Sequence, residues 1–320
     1  MAAGYGATAE RAPDAARPAR GRATFVRPMY RDPMTTPAPR WAILDGRRVP
    51  HDAATVHASD LGLRRGYAVF EAFRVERGIP LFLEDHLARL ERSADAVGLP
   101  LPRGADGVAA DVHALIEAND PGMTAAHVLL TGGPSDDGIT FHTPTTVVTT
   151  LNVGPRATAP TGATLISHQH TRQFPEAKTT NYLTLMRLAP AMRAAGAIDV
   201  LYHDGVHAAE CARSALAIVQ DSKLVTRRVG VLAIVSMKHV VAVARERMPV
   251  QERAISLEEL HAADEVLNSG AARGLVPIVA IDGRPVGDGT VGPHAWALFA
   301  AFAEHVDAYV AARRGSAGER

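Results

Sequence analysis

Short strand-like runs joined by two-residue turns constrain this chain more than any other feature. Residues 42–44 and 47–49 flank Asp45-Gly46, and residues 67–75 turn at Arg77-Gly78 and return through 79–83. Residues 199–202 and 206–210 flank Asp204-Gly205, and residues 278–281 run into Asp282-Gly283. A tight turn of this type needs positive φ, which Gly and Asp tolerate best, and it fixes its two neighbours as an antiparallel pair. Residues 216–219 and 223–226 add a further hairpin, and 126–131, 145–151 and 163–168 read as strands. Such a chain has to build sheets.

The period changes elsewhere. His86, Leu90, Ala94 and Val97 share one face of a helix over 85–99, and Tyr182, Leu185, Met186, Ala189 and Met192 have the same spacing over 181–195. Helices are also expected over 107–117, 240–248, 257–261 and 294–312. Sheets with helices packed outside them give an α+β or mixed α/β class.

At 320 residues the chain can hold two cores. The stretch 152–162 is dense in Pro, Gly and small residues and reads as a boundary. The expected division is a disordered leader over 1–38, a small α/β domain over 39–152, a linker over 153–162, a larger domain over 163–312 and a disordered tail over 313–320. The leader is rich in Ala, Arg and Pro without the apolar core of a secretory signal, and Met29 or Met34 could be a later start. With 34 basic and 34 acidic residues, no global field attracts nucleic acid or an anionic membrane. The apolar run 229–244, broken by Ser236, Lys238 and His239, is read as core and not as a membrane span. The single cysteine, Cys211, excludes an internal disulfide and a cysteine-built metal site, which points to the reducing cytoplasm. His168 and His170 share a strand face, but no nearby carboxylate completes a metal site. The glycines form neither a dinucleotide fingerprint nor a phosphate-binding loop of the nucleotide type.

In the stretch Glu176-Ala-Lys178-Thr-Thr-Asn-Tyr182, small residues flank a lysine just before a helix, a setting in which an amine can lie beside a pocket and anchor an aldehyde. Around it stand Asp60-Leu-Gly-Leu-Arg-Arg-Gly66-Tyr-Ala-Val-Phe70-Glu71, Asp85-His86-Leu-Ala-Arg89-Leu90-Glu-Arg-Ser93-Ala94, Asp204-Gly205 to Glu210, Ala263-Asp264-Glu265-Val266 and Pro277. The order and spacing of these blocks over about residues 41–305 resemble the class IV aminotransferases. These are the pyridoxal-phosphate enzymes of fold type IV, which include branched-chain and D-amino-acid aminotransferases and aminodeoxychorismate lyases.

The resemblance implies a two-domain fold whose larger part is β-barrel-like, with pyridoxal 5'-phosphate in the cleft. It assigns the Schiff-base lysine to Lys178, the carboxylate facing the pyridine nitrogen to Glu210, a phosphate-binding arginine to Arg89 and a cofactor contact to Tyr182. Two further phosphate turns fall on Ile234-Val235-Ser236 and Ser269-Gly270-Ala271, where backbone N–H groups can cup an anion although Ala271 brings no hydroxyl. Ala215 replaces an amide that follows Ser214 in the family. An arginine often found after the mid-domain threonine is Gly132 here, which leaves Arg64, Arg65 or Arg213 as substitutes for a substrate clamp. The implied activity moves an amino group between an amino acid, D or branched-chain, and a 2-oxo acid, in a cytoplasmic homodimer with no nucleic acid, membrane or metal partner. Two alternatives are a lyase on the same cofactor and, from Ala215, Ala271 and Ile234, a degenerate member with weakened or no catalysis.

Overall fold

The computed structural model describes residues 39–119 and 122–317, so the expected leader lies outside the described residues. A first, six-stranded sheet holds β1 (Trp41–Leu44), β2 (Arg47–Pro50), β3 (Ala68–Glu76), β4 (Ile79–Pro80), β5 (Ala125–Thr131) and β6 (Thr145–Leu151) in the order β2-β1-β6-β5-β3-β4. Asp45 and Gly46 both take positive φ, 50° and 77°, so the first expected hairpin forms by the expected turn. Arg77 and Gly78 do the same between β3 and β4. The returning strand is shorter than expected, because Phe82 turns at φ 54° and α2 begins at once.

Three helices accompany this sheet: α1 (Leu61–Arg65), α2 (Leu83–Ala96) and α3 (Gly104–Ala118). On α2 the residues Leu83, Leu87, Leu90 and Ala94 recur at helical spacing and are buried against Val69, Phe73, Val128 and Leu130 of the sheet. Each buried leucine contributes about 1.5–3 kcal/mol, enough to fix the helix on one face of the sheet and leave the other open.

The second sheet collects β7 (Ala163–Gln169), β8 (Asp199–His203), β9 (His207–Cys211), β10 (Ala215–Gln220), β11 (Lys223–Thr226), β12 (Val250–Glu252), β13 (Ile255–Ser256), β14 (Glu265–Gly270), β15 (Gly274–Ile281) and β16 (Arg284–Pro285). Its order is β12-β11-β10-β14-β15-β7-β8-β9-β13, with β16 beside β15. The Asp204-Gly205 connection differs from the other hairpins: only Gly205 has positive φ, and the Asp204 carboxylate accepts the N–H groups of Val206 and His207 instead.

Around this sheet lie α4 (Leu183–Ala194), α5 (Val235–Arg245), α6 (Leu257–Ala262) and α7 (Pro293–Ala317). Leu267, Val219 and Leu224 pack on one sheet face against Val235, Val240, Leu298 and Phe302 of α5 and α7. Leu81 and Phe82, at the start of α2, enter the same cluster, so the two sheets share a core. Arg74 joins them again, donating to the carbonyls of Gly154 and Ala272.

Three expectations change. The helix expected over 240–248 begins at Val235, which brings Ser236 into its first turn. Met186, expected inside, is 66% exposed: α4 packs through Leu185, Leu188 and Met192 instead. The last helix continues to Ala317, where a disordered tail was expected from 313, and Arg313 pairs with Glu84 of α2.

Candidate active site

Lys178 is held by backbone pairing along the free edge of β3. Phe70 N–H donates to the Lys178 carbonyl and Thr180 N–H to that of Ala68, while the Lys178 N–H donates to Ser93 Oγ of α2. The lysine is thereby fixed between strand and helix before α4 begins. Its side chain is buried, with Nζ 4.5 Å from the centre of the Phe70 ring. Burial lowers its pKa to about 7, and the Arg89 guanidinium pushes the same way. An amine with that pKa is substantially neutral at neutral pH, which is the nucleophilic form.

On α2 the residues His86, Arg89 and Ser93 form a polar stripe facing β3. Glu71 of β3 accepts from Arg89 Nε and Nη2 at 2.7 Å each, and its second oxygen lies 2.7 Å from His86 Nδ1. Burial works to raise the Glu71 pKa, but the Arg89 charge and the bonds from Arg89 and His86 hold it at about 2. His86 is driven down by burial, so it stays neutral beside an ionised Glu71. Arg89 Nη1 donates to the carbonyl of Ala233, just before α5. These contacts use three of the five guanidinium N–H groups and leave one on each terminal nitrogen for an anion.

Glu210, at the end of β9, is buried and accepts from Arg172 Nη1 at 3.2 Å and from the Leu232 N–H at 3.4 Å. Burial raises its pKa, and Arg172 opposes that rise. Arg172 also donates to the carbonyl of Ala177, tying the lysine segment to Glu210. Sequence reading missed Arg172: it lies in the loop after β7, and nothing in its neighbours marks it as buried. Tyr182 packs edge-on to Phe70 at 5.7 Å, and burial raises its pKa.

Ser236 and Ser269 are 4% and 0% exposed, and neither hydroxyl has a hydrogen-bond partner among the described residues. Ser236 lies in the first turn of α5, after Val235. Ser269 alternates with Leu267 on the face of β14 that packs against α5. Gly270 sits against Ser214, and Ala271 opens the turn to β15. Buried hydroxyls without partners are costly, and an anion at the α5 N-terminus would satisfy them. These residues therefore fit a phosphate-bearing cofactor beside Lys178, and Ser269 supplies a hydroxyl close in the chain to the one that Ala271 lacks.

Among the described residues, none of the candidate substrate arginines bonds to Glu210 or to the Lys178 segment. Arg213 donates to the Ile198 carbonyl, with Nε 3.6 Å from the buried Asp199. Arg64 and Arg65 are exposed and lie over Gly138. Arg65 lines a broad cavity of about 1050 Å³ with Tyr67, Ile139, Phe174, Asn181 and Leu183; Lys178 and Glu210 are not in its wall, but Thr179 and Tyr182 beside the lysine are. At Gly132 a Cβ atom would stand 2.7 Å from Tyr67 Cδ1, so a longer side chain there requires Tyr67 to move. Among the described residues no cluster of His, Cys, Asp and Glu could hold a metal ion.

Residues 68–281, more than half of the chain, match the family described as amino-transferase class IV. A D-alanine aminotransferase of Listeria monocytogenes is 26% identical over 275 residues, 82% of this chain and 95% of that protein. A branched-chain aminotransferase of Thermoproteus uzoniensis, solved with norvaline, is 27% identical with a TM-score of 0.73, covering 84% of this chain and 95% of that one. The branched-chain amino acid aminotransferase of Escherichia coli has a TM-score of 0.72 at 24% identity, over 81% and 92% of the two chains, and shows a shared fold.

Proposed function

The chain belongs to the class IV aminotransferases, which use pyridoxal phosphate, and we propose that Lys178 is the residue on which it moves an amino group between an amino acid and a 2-oxo acid. The observation that carries this is an amine buried between the Arg89–Glu71 and Arg172–Glu210 pairs, a setting that draws its pKa down to about 7. Pyridoxal phosphate supplies an aldehyde that condenses with primary amines and a ring that accepts the electron pair left when a bond at the substrate Cα breaks. The chain's residues hold and orient that group. Arg89, the N–H groups at Val235 and Ser236, the Ser236 and Ser269 hydroxyls, and the turn at Gly270 and Ala271 would take the phosphate. Glu210 would face the ring nitrogen, oriented by Arg172, and Tyr182 would border the ring. Lys178 Nζ, buried and neutral near pH 7, would take a proton from the substrate Cα and hand it back, as a neutral amine can.

A homodimer is supported by exposed apolar side chains around the broad cavity: Leu63, Ile139 and Leu183 are 66%, 81% and 78% exposed. Sedimentation equilibrium should give twice the chain mass. A cytoplasmic location is supported by the single buried cysteine. Among the described residues no helix is long and apolar enough to cross a membrane.

The test of function is an absorbance titration with pyridoxal phosphate, wild type beside Lys178→Ala, followed by D- and L-amino acids. A visible band that needs Lys178 and bleaches with one series establishes transamination at this residue and gives the hand of the donor. A band of equal strength in Lys178→Ala, or no bleaching by either series, refutes it.

A further inference from the structure

The face of the first sheet turned away from α2 and α3 carries a row of side chains that the cofactor site does not use. Alternation along β3 sends Glu71 and Phe73 toward α2 and leaves Phe70 and Ala72 on the open face. On β5 the same alternation buries Ala126, Val128 and Leu130 and turns His127 and Leu129 to the open side. His127 stands opposite Ala72 of β3 and Thr149 of β6. Its ring stacks on Phe70, with centroids 5.3 Å apart and planes 29° from parallel. Phe70 is the ring over which Lys178 Nζ sits at 4.5 Å. Lys178, Phe70 and His127 thus form one continuous line leading away from the reacting amine across an apolar floor.

The imidazole is half-buried and has no hydrogen-bond partner among the described residues. Burial, reinforced by the Lys178 charge, lowers its pKa to about 4, so it carries no charge at neutral pH. Among the described residues of β3 and β5, Arg74 is the one cation on this face, and it is spent on Gly154, Ala272 and Glu76, while Gly132 beyond β5 brings no side chain. A substrate whose amine replaces Nζ must place its substituents within a few ångströms of that atom, and the stacked pair is the nearest wall on this side.

We propose that His127, stacked on Phe70, is a specificity-determining residue that lines the substrate side-chain pocket and restricts it to uncharged side chains. A carboxylate placed there would lose its water and meet two neutral rings, aliphatic groups and at most the Thr149 hydroxyl, with no cation to match it, whereas an aliphatic or aromatic side chain meets a matching surface. This rests on the assignment of Lys178 as the reacting amine.

The experiment measures the first half-reaction at saturating pyridoxal phosphate, as the rate of bleaching of the Lys178-dependent band. The donors are norvaline, phenylalanine and glutamate, each in both hands. Wild type should favour norvaline and phenylalanine over glutamate by at least tenfold in kcat/KM. His127→Arg should shift that ratio toward glutamate by at least tenfold, while His127→Phe, which keeps the stack, preserves the preference and serves if the arginine variant does not fold. Preference of wild type for glutamate, or ratios unmoved within twofold in His127→Arg with the band and cofactor affinity intact, overturns the role of His127 and leaves Lys178 in place. Absence of bleaching by every donor in wild type overturns both.

Discussion

Removing a buried hydroxyl usually destabilises a protein, but at Ser236 and Ser269 the opposite is expected for the cofactor-free chain. Both side chains are at least nine-tenths buried and neither Oγ has a partner among the described residues, so each carries an unsatisfied polar group worth about 1–3 kcal/mol against folding. Ser→Ala deletes that atom and creates almost no cavity, so the apoprotein should gain about 1 kcal/mol or more, on the order of 2–4 °C in Tm. With pyridoxal phosphate the sign reverses. A hydrogen bond to a charged phosphate contributes about 1.5–3 kcal/mol, so each alanine should weaken cofactor binding by about ten- to hundredfold. Pyridoxal without its phosphate should bind both variants as it binds wild type. Thermal melts of the apoprotein, with absorbance titrations against the two cofactor forms, read all three quantities. An apoprotein destabilised by both substitutions, with phosphate-cofactor affinity changed less than twofold, would refute the phosphate-cup reasoning.

Covalent attachment of pyridoxal phosphate should rise with pH through about 7, because Lys178 attacks only as a neutral amine; a midpoint near 10 in stopped-flow absorbance would contradict the buried setting. The same shift makes the apoprotein more stable as pH rises from about 7 to 10.5, since over that window the unfolded lysine holds a proton that the folded one lacks. Glu71→Ala strands the Arg89 charge in the interior and should cost about 3–5 kcal/mol in urea denaturation. Gly132→Ala should cost about 1–3 kcal/mol, as its Cβ meets Tyr67, and a change below about 0.5 kcal/mol would show that Tyr67 yields freely.

The hairpins were legible because Asp-Gly and Arg-Gly turns are local: the backbone of two residues decides them, as at Asp45-Gly46. Legibility ended where long-range partners decide. The N-terminus of α5 could not be read from the run 229–244, because Val235 and Met237 are helical only by packing on Leu267 and Phe302 across the sheet. Met186 has the right spacing for burial, yet α4 rests on β8 through a narrow apolar strip that stops short of it. The positions of Lys178, Arg89 and Glu210 came from block resemblance, which carries no information about pairing. Arg172 with Glu210, and His127 on Phe70, join residues 38 and 57 positions apart, and only the folded sheets bring them together.

The charges around Lys178 explain why the lysine is the group that yields its proton. Arg89 is matched by Glu71 and Arg172 by Glu210, each pair closed by hydrogen bonds. His86 and His127 are kept neutral by burial. A protonated Lys178 is then the one cation of this cluster without its own carboxylate, and burial makes that excess costly. The arginines cannot release a proton near neutral pH, whereas an amine can, so neutrality is reached most cheaply at Nζ. The arrangement keeps the amine largely neutral with structural ion pairs that also hold β3, α2 and the lysine loop in register. A phosphate dianion at the α5 N-terminus would add negative charge on the Arg89 side and favour protonation of an amine nearby. On the proposed assignment, the cluster would make Lys178 a nucleophile toward an incoming aldehyde and, with the anion seated, a better proton holder.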